Sequence, residues 1–492
     1  MSMKPGARLR NLTKMVLVVL VLTWGSAVEA TGQEVAVNIN VDPASTRVAI
    51  DGTCAPTTVW SFQNTYANLI GLGNRIEKFA LNDELGQKVA VRKIAPGQFE
   101  SSKPAARFHY EVNLAPPALP SDSAMVSWLN NDRGLLMLAD LLPIAAQKEH
   151  TSAKIKLTLP QTWRAYSSGE QPGQAEFSVH DVDRAVVAVG AHLRASTVNE
   201  SGMTLRFITD GDWAFSDPEA LELIGKVLKA HHEIFNAVPS KRGQLILFPF
   251  PQTTGATNWS AETRDANVTL LLGKLPTKVG ALAQLSTPLT HELFHLWIPN
   301  GLALSGDYDW FYEGFTVYEA SRVAVDLGLL TFPEFLNSIA RAYDASLQDG
   351  SLSLLEASRT RFTTGKTSVY ARSQLLAFVY DLRLRTLSHR KRSLSDIYRK
   401  LFQANADRSD VDGNDAVISV LSRELGSQEF VDSHVRRPFS IDLGEELAPF
   451  GLKVEKLGLR THIGASDKLS RQQRDLLRDL GYNDATHGTR RK

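Results

Sequence analysis

The sequence has a single cysteine, Cys54, among its 492 residues. One thiol cannot form an intramolecular disulfide or a cysteine-based zinc site, so the fold must be stable without either. An excess of charge of one sign is lacking as well, because 54 lysines and arginines balance 53 aspartates and glutamates. A net charge of +1 creates no overall field that would attract nucleic acid, and we expect no nucleic-acid partner.

Long apolar runs are also scarce. Residues 15–24 (MVLVVLVLTW) are apolar except for one threonine, but a membrane-spanning helix needs about 20 such residues. Basic residues precede this run, and Val28 and Ala30 suit the positions before a signal-peptidase cut. These features predict a signal peptide over residues 1–30, cleaved near Ala30. The protein would then be exported, periplasmic or secreted, and not inserted in a membrane. An uncleaved anchor is the alternative.

The rest of the chain changes character along its length. Residues 31–193 contain short alternating runs such as VAVNINV and ARFHYEVNL between clusters of turn residues, which predicts an N-terminal antiparallel β-sandwich-like domain. Residues 194–404 begin with two strands and then become mostly helical. We interpret residues 405–465 as an extension of that second domain, and residues 466–492 as a terminal helix with a basic tail. The predicted fold class is α+β and multidomain.

One helix in the second domain has a well-marked start. Ser216, followed by Asp217 and Pro218, provides an N-cap residue and a proline in the first turn. His231 and His232 lie further along this helix. Adjacent positions do not share a helix face, so we expect these histidines on a solvated surface.

The residues that indicate chemistry are His291, Glu292 and His295 in the segment HELFH. Thr287 and Pro288 predict a helix start just before them, and the pattern predicts that the helix continues through LTHELFHLWI. The two histidines then lie one turn apart on the same face. Two neutral imidazoles so placed can bind zinc, and a catalytic zinc site has three protein ligands and one position for water. Zinc lowers the pKa of that water, and Glu292 is placed to take its proton.

A third ligand follows in the segment WFYEGFTVYEA. Seventeen residues separate His295 from Glu313, which lies early in a second helical stretch. A carboxylate from a second helix completes a His, His, Glu set for one zinc ion. The alternative is two buried histidines and an unrelated surface glutamate. Asp309 and Glu319 flank Glu313, and they are candidates to accept the second ring N–H of a zinc histidine.

These motifs resemble those of the gluzincin metallopeptidases, and in particular the glycyl-aminopeptidase family, metallopeptidase family sixty-one. HELFHLW is similar to its HExFHxW element, WFYEGFTVYEA to its W-x-x-EG-x-T-x-Y element, and residues 368–378 to a third element. The resemblance implies a thermolysin-like catalytic domain behind a β-rich N-terminal domain. It also implies that the Tyr370 hydroxyl stabilises the oxyanion of the tetrahedral intermediate. A packed helix aromatic is the alternative for Tyr370.

The sequence departs from the family pattern in three places. The spacing between HExxH and the glutamate ligand is shorter than usual for the family, and too little chain follows Leu452 for the PDZ domain that is common there. The glycine-rich element that binds the substrate's amino group is not cleanly present. Glu262, in the segment NWSAETR, is the candidate for that role. A solvated loop glutamate is the alternative.

The predicted function is that of an exported zinc peptidase acting on peptide substrates. We expect an aminopeptidase in which zinc-activated water attacks and Glu292 is the general base. One alternative is a zinc endopeptidase, which needs no partner for a substrate amino group. Another is a non-catalytic binding or scaffold protein on a peptidase fold. Nothing in the sequence indicates an oligomeric state.

Overall fold

The computed structural model describes residues 34–144, 152–168, 175–347, 352–364, 368–406 and 411–483. The predicted signal peptide, with its cut near Ala30, and the basic tail lie outside these residues. Within them, a β-rich N-terminal domain precedes a second domain in which helices pack on a smaller sheet. The predicted α+β multidomain class is therefore confirmed.

The N-terminal domain is built almost entirely from strands. They are β1 (Glu34–Asp42), β2 (Arg47–Ser61), β3 (Thr65–Tyr66), β4 (Leu69–Ile70), β5 (Ile76–Asn82), β6 (Lys88–Val89), β7 (Val91–Ala95), β8 (Gln98–Asn113), β9 (Trp128–Leu129), β10 (Arg133–Met137), β11 (Ser152–Thr158), β12 (Arg164–Ser167), β13 (Glu176–Val179) and β14 (Val186–Gly190), with a helical turn α1 (Leu138–Leu141) after β10.

These strands form two principal sheets. The larger has the order β13-β11-β1-β2-β8-β5-β6, with β7 paired to β8, and the smaller has the order β12-β14-β10-β9. Val35, Val37, Ile39 and Val41 alternate along β1 and are all buried in the core of this domain. This is the period of two that a strand with one buried face requires. The pair β1–β11 is parallel, whereas the other pairs of the large sheet are antiparallel.

The second domain combines a five-stranded sheet with a set of helices. Its strands are β15 (Arg194–Glu200), β16 (Met203–Thr209), β17 (Arg242–Pro249), β18 (Trp259–Arg264) and β19 (Asn267–Leu272), followed by the short pairs β20 (Leu304–Ser305) with β21 (Val411–Asp412), and β22 (Leu452–Leu457) with β23 (Arg460–Ala465). The five-stranded sheet has the order β15-β16-β17-β19-β18, so β18 is an edge strand, antiparallel to β19.

The helices of this domain follow the order of the chain. They are α2 (Asp217–Phe235), α3 (Lys278–Phe294), α4 (Thr316–Asp326), α5 (Phe332–Ser346), α6 (Leu354–Thr364), α7 (Ser368–Leu387), α8 (Leu394–Asn405), α9 (Gly413–Leu425), α10 (Gln428–Val431), α11 (Leu443–Leu447) and α12 (Arg471–Arg478). Helix α12 occupies part of the segment, residues 466–492, in which a terminal helix and a basic tail are predicted. Residues 452–483 form the β22–β23 hairpin and α12 rather than a PDZ domain.

Helix α2 begins where the sequence predicts. Ser216 and Glu219 form a reciprocal capping box, in which each side chain bonds the backbone N–H of the other. The expectation for His231 is wrong, because its side chain is wholly buried and one ring nitrogen lies 2.9 Å from the Thr290 carbonyl oxygen. Its ring also packs edge-on against Phe294. Helix α2 therefore packs against α3 at Thr290 and Phe294.

Helix α3 differs from its prediction at both ends. It begins at Lys278 with Thr277 as N-cap, so Pro288 lies inside the helix instead of at its start. Leu285, Leu289 and Leu293 are buried along one face, and their burial outweighs the single backbone hydrogen bond that proline cannot donate. The helix also ends at Phe294, and the chain then turns instead of continuing as a helix.

The two domains share a continuous interface beside β18. An apolar cluster at this interface joins Trp128 and Met137 of the N-terminal domain to Ile246, Phe248 and Leu271 of the five-stranded sheet. Three polar contacts cross the same interface: the Ala124 N–H donates to the Ser260 hydroxyl oxygen, Arg264 donates to the Met125 carbonyl oxygen, and Arg133 pairs with Asp210. The N-terminal domain is thereby held against the edge strand that carries one candidate site residue. No helix in the described part of the chain is both long and apolar enough to span a bilayer.

Candidate active site

Three side chains predicted as metal ligands converge. His291 comes from the last turn of α3, His295 follows the last residue of that helix, and Glu313 comes from a π-helical turn (Trp310–Phe315) that leads into α4. The His291 Nε2 and His295 Nε2 atoms lie 3.0 Å apart, and Glu313 Oε2 lies 3.3 Å from the first and 3.6 Å from the second. The π-turn widens the helix at the position where the carboxylate must face the two rings.

This donor set fits a zinc ion. Ligand atoms at about 2.0–2.1 Å from one tetrahedral ion lie about 3.3 Å from one another, and the three observed separations bracket that value. Two imidazole nitrogens and one carboxylate oxygen are the donors found at catalytic zinc sites that keep a position for water. His295 and Glu313 are buried, while the His291 ring is partly open. The residues present are therefore able to hold zinc.

The tautomer of one ligand is set by the backbone. His295 Nδ1 lies 2.8 Å from the Ile298 carbonyl oxygen, so Nδ1 carries the hydrogen and Nε2 presents its lone pair to the ligand cluster. The prediction that Asp309 or Glu319 fulfils this role is wrong for His295. Asp309 instead accepts from Arg361, and Glu319 accepts from Ser395. A backbone carbonyl three residues after His295 cannot be recognised from side-chain types.

Glu292 is held beside the ligands by the edge strand. Its side chain is almost wholly buried, and the Thr263 hydroxyl donates to Glu292 Oε2 over 2.7 Å. One carboxylate oxygen thus has a fixed partner, which orients the other. Thr263 lies next to Glu262 on β18 and was not identified from the sequence, because a threonine in a strand has no distinguishing pattern.

Tyr370 also lies at this cluster. It is in the first turn of α7, and its hydroxyl oxygen accepts a hydrogen bond from Arg361. Burial raises the pKa of Tyr370 well above its ordinary value, and the charges of Glu313 and Glu292 act in the same direction. The phenol is therefore a neutral hydrogen-bond donor at any pH near neutrality. The packed-aromatic alternative does not account for these polar neighbours.

Glu313 is kept ionised despite its burial. Burial opposes the charge, but the neighbouring His291 and His295 side chains and the charge of Arg361 hold the pKa of Glu313 well below its ordinary value. Arg361 Nη1 lies 2.9 Å from Glu313 Oε1 and 2.6 Å from Asp309 Oδ1. Sequence reasoning missed Arg361, which lies 48 positions after the third ligand and outside the recognised motifs.

Glu262 lies on β18 with about one-fifth of its side chain exposed. Its carboxylate accepts a hydrogen bond from the Tyr66 hydroxyl of the N-terminal domain, and Arg264 Nε lies 3.7 Å from Glu262 Oε1. Burial raises the pKa of Glu262, and the charges of Glu292 and Glu313 add to this effect, whereas Arg264 and Tyr66 oppose it. The solvated-loop alternative for Glu262 is therefore wrong, since this residue lies within electrostatic reach of the ligand cluster.

A cavity of about 530 Å³ adjoins the cluster. His291 and Tyr370 line it, together with Trp259 from β18 and small residues of α3 and α4 such as Ala283 and Ala320. Residues of α5 complete the lining. A volume in this range accommodates a small molecule or a short stretch of peptide.

Two imidazoles from an HExxH helix and a carboxylate from a following helical turn define a gluzincin-type zinc-peptidase site. A family model described as the peptidase M61 N-terminal domain matches residues 68–186 of the chain. A search of curated proteins finds no significant match. The resemblance to the glycyl-aminopeptidase family therefore has independent support in the N-terminal domain, whereas the motifs that carry it lie in the second domain.

Solved structures match over most of the chain. An aminopeptidase N family protein from Idiomarina loihiensis is 18% identical with a TM-score of 0.75, over 86% of this chain and 79% of that one. An M1 zinc metallopeptidase from Deinococcus radiodurans is 15% identical with a TM-score of 0.55, over 84% and 95% of the two chains. A variant of the latter, bound to a Tyr-Ser-Ala substrate, is 16% identical with a TM-score of 0.56, over the same shares.

At these identities the likeness to solved structures establishes the fold alone. The fold is that of two-domain metallopeptidases, as the gluzincin resemblance implies. The family match, the fold and the His, His, Glu cluster together support a hydrolase of the zinc-peptidase class.

Proposed function

We propose that this chain is a zinc-dependent aminopeptidase. The observation that carries the proposal is the convergence of His291, His295 and Glu313 beside the buried carboxylate of Glu292. Zinc, when bound, supplies a Lewis acid that polarises the scissile carbonyl and lowers the pKa of water. All three candidate ligands and the candidate base are present together, which favours a catalytic role over a scaffold protein.

Residues of the chain itself carry out the proton transfers and stabilise the oxyanion. Glu292, held through one oxygen by Thr263, accepts a proton from the attacking water with the other oxygen. It then returns this proton to the nitrogen of the leaving amine. Tyr370 donates its hydroxyl hydrogen to the oxygen that becomes negative as the carbonyl carbon turns tetrahedral. Each of these two groups has a partner that orients it, Thr263 for Glu292 and Arg361 for Tyr370.

Glu262 is the proposed partner of the substrate's α-ammonium group. A cation held in a partly desolvated pocket needs a carboxylate, and Glu292 and Glu313 already have other tasks. The Tyr66 hydroxyl orients the Glu262 carboxylate from the opposite domain. Binding the amino terminus at this position would place the first peptide bond at the zinc.

One observation favours the endopeptidase alternative. Arg264 is almost wholly buried, and its Nε atom lies 3.7 Å from Glu262 Oε1, so part of the Glu262 charge is already balanced. A balanced carboxylate attracts an ammonium group less strongly. The endopeptidase would accept peptides with blocked amino termini.

A paired substrate assay separates these functions. The rate of hydrolysis is measured on one peptide with a free amino terminus and on its acetylated form, with and without a chelator. The aminopeptidase proposal predicts cleavage of the free peptide at its first bond only, and loss of that activity with the chelator. Equal cleavage of the acetylated peptide would establish the endopeptidase. No chelator-sensitive cleavage of either peptide would contradict both.

We also propose that the protein is exported. The proposal rests on residues 1–30, whose basic start, short apolar run and Ala30 have the pattern of a signal peptide. Its substrates would then be peptides outside the cytoplasm. Amino-terminal sequencing of the protein from cell envelope or medium should begin just after Ala30, whereas a start at Met1 would contradict cleavage.

A further inference from the structure

Arg361 connects groups that the proposed reaction requires. It lies on α6 with only 15% of its side chain exposed. Its Nη1 atom is 2.6 Å from Asp309 Oδ1 and 2.9 Å from Glu313 Oε1, and its Nη2 atom donates to the hydroxyl oxygen of Tyr370. One guanidinium therefore contacts both the third metal ligand and the proposed oxyanion donor.

We propose that Arg361 is a positioning residue that selects the ligating oxygen of Glu313 and the direction of the Tyr370 hydroxyl hydrogen. The proposal rests on the proposed zinc-peptidase function and deepens it. Arg361 would set the geometry of two catalytic groups without itself touching the substrate.

The first part of the argument concerns Glu313. Its Oε1 atom is engaged by Arg361, while its Oε2 atom lies 3.3 Å and 3.6 Å from the Nε2 atoms of His291 and His295. A carboxylate can otherwise rotate and present either oxygen, or both, to a metal. The rigid guanidinium fork holds one oxygen away from the histidines, so a single oxygen remains for the ion.

The second part concerns Tyr370. A phenol has one hydrogen to donate, and an oxygen that already accepts from a guanidinium must direct its own hydrogen elsewhere. The Glu313 carboxylate is a competing acceptor within reach of this hydroxyl. Because Arg361 donates to the Tyr370 oxygen and to Glu313 Oε1, the hydroxyl hydrogen is directed away from the guanidinium and toward the ligand cluster, where the oxyanion would form. The guanidinium also lies 4.9 Å from the centre of the Tyr370 ring, which limits movement of the ring.

Asp309 completes the arrangement. Two carboxylates share Arg361 Nη1, so the guanidinium also keeps Asp309 and Glu313 from repelling each other in a buried site. A lysine has one compact ammonium in place of a planar fork, and it cannot satisfy Asp309, Glu313 and Tyr370 in the same geometry. The Arg361→Lys variant therefore keeps the charge and removes the positioning.

The test uses Arg361→Lys in the full chain, with Arg359→Lys as the matched control. Arg359 is on the same helix but exposed. For Arg361→Lys we expect a loss of about 10–100-fold in zinc affinity, measured by competition with a chelator. We also expect a fall in kcat with a much smaller change in KM, because positioning matters most in the transition state. The visible absorption of the cobalt(II)-substituted protein should change, as the carboxylate is no longer held through one oxygen. The control should match the unmodified chain in all three measurements.

A double variant tests the Tyr370 part separately. If Arg361 acts through the hydroxyl, Arg361→Lys added to Tyr370→Phe should lower kcat far less than it does alone. Equal losses in both backgrounds would overturn this part. Unchanged zinc affinity and an unchanged cobalt spectrum in Arg361→Lys would overturn the Glu313 part.

Folding and function are controlled independently. Arg361→Gln is the second variant if thermal unfolding shows that the lysine chain does not fold, and the same results are expected for it. If the unmodified chain binds zinc but cleaves no peptide, the proposed function fails. Zinc affinity and the cobalt spectrum still decide the role of Arg361 in that case.

Discussion

The candidate active site has two halves that are built in different ways. The metal half, His291, Glu292, His295 and Glu313, comes from one short stretch at the end of α3 and the turn before α4. The proposed substrate half brings together Glu262 of the edge strand, Tyr66 of the other domain and Tyr370 of α7, whose hydroxyl oxygen accepts from Arg361. The first half depends on helical spacing, and the second depends on tertiary packing. Changes in the metal half should abolish the chemistry, whereas changes in the substrate half should weaken particular steps.

The largest effect is expected in the metal half. Glu292→Gln preserves shape and removes the proton acceptor, so kcat should fall by about 10²–10⁴. The measurement is steady-state hydrolysis of a free-amino peptide by zinc-loaded protein. Near-normal turnover by Glu292→Gln would show that another group is the general base.

The next effect is expected at Tyr370. Tyr370→Phe removes one hydroxyl and little volume, and the loss of an oxyanion donor costs about 10²–10³ in rate. The change should appear in kcat, with KM little affected, because this hydrogen bond strengthens as charge develops. An unchanged kcat would return Tyr370 to a packing role and remove it from the substrate half.

A smaller effect is expected where the domains meet. Tyr66→Phe keeps the ring that lies 4.0 Å from the Arg264 guanidinium but removes the hydrogen bond to Glu262. A hydrogen bond to a charged group is worth about 1.5–3 kcal/mol, so KM for free-amino peptides should rise about tenfold. Glu262→Gln should raise it at least as much, since it removes the charge. If acetylated peptides respond to both substitutions in the same way, Glu262 does not bind the amino group.

The smallest effect on activity is expected at Glu319, a candidate partner of a zinc histidine whose carboxylate accepts from Ser395. Glu319→Gln should leave zinc content and kcat unchanged, because this side chain contacts Ser395 and lies near Asp381. A loss of zinc in this variant would show instead that Glu319 supports a zinc histidine.

The same substitution should alter the dependence of stability on pH. Burial raises the pKa of Glu319 to about 7, above its unfolded value of 4.5. Stability from the protonated carboxyl is thus fully present below about pH 4.5 and is lost as the pH rises through about 7. The thermal unfolding temperature of Glu319→Gln should therefore fall less between these pH values than that of the unmodified chain. If the unfolding temperatures of the two proteins changed equally with pH, the raised pKa of Glu319 would be contradicted.

The difference between the halves also explains what the sequence could predict. HELFH and WFYEG lie within 24 consecutive residues, and i, i+4 spacing alone brings two of the ligands together. The alternation along β1 and the capping box at Ser216 are local signals of the same kind, and the structure agrees with both. Such features are determined by neighbours in the chain.

Features that depend on packing were missed or wrongly assigned. Pro288 indicated a helix start, but the buried leucines of α3 continue the helix through it. His231 lies under α3 because α2 packs there, and a pair of adjacent histidines carries no sign of this. Arg361 and Thr263 have ordinary sequence surroundings, and only the fold brings them to Glu313 and Glu292. Their roles follow from contacts between segments that are distant in the chain.

The most direct test of the account is the zinc content of three purified proteins, measured by elemental analysis. The central claim is that His291, His295 and Glu313 hold the ion while Glu292 does not. The unmodified chain and Glu292→Gln should each contain close to one zinc per chain, and His295→Ala should contain little. Loss of zinc from Glu292→Gln as complete as from His295→Ala, or an unmodified chain that binds none, would contradict the claim.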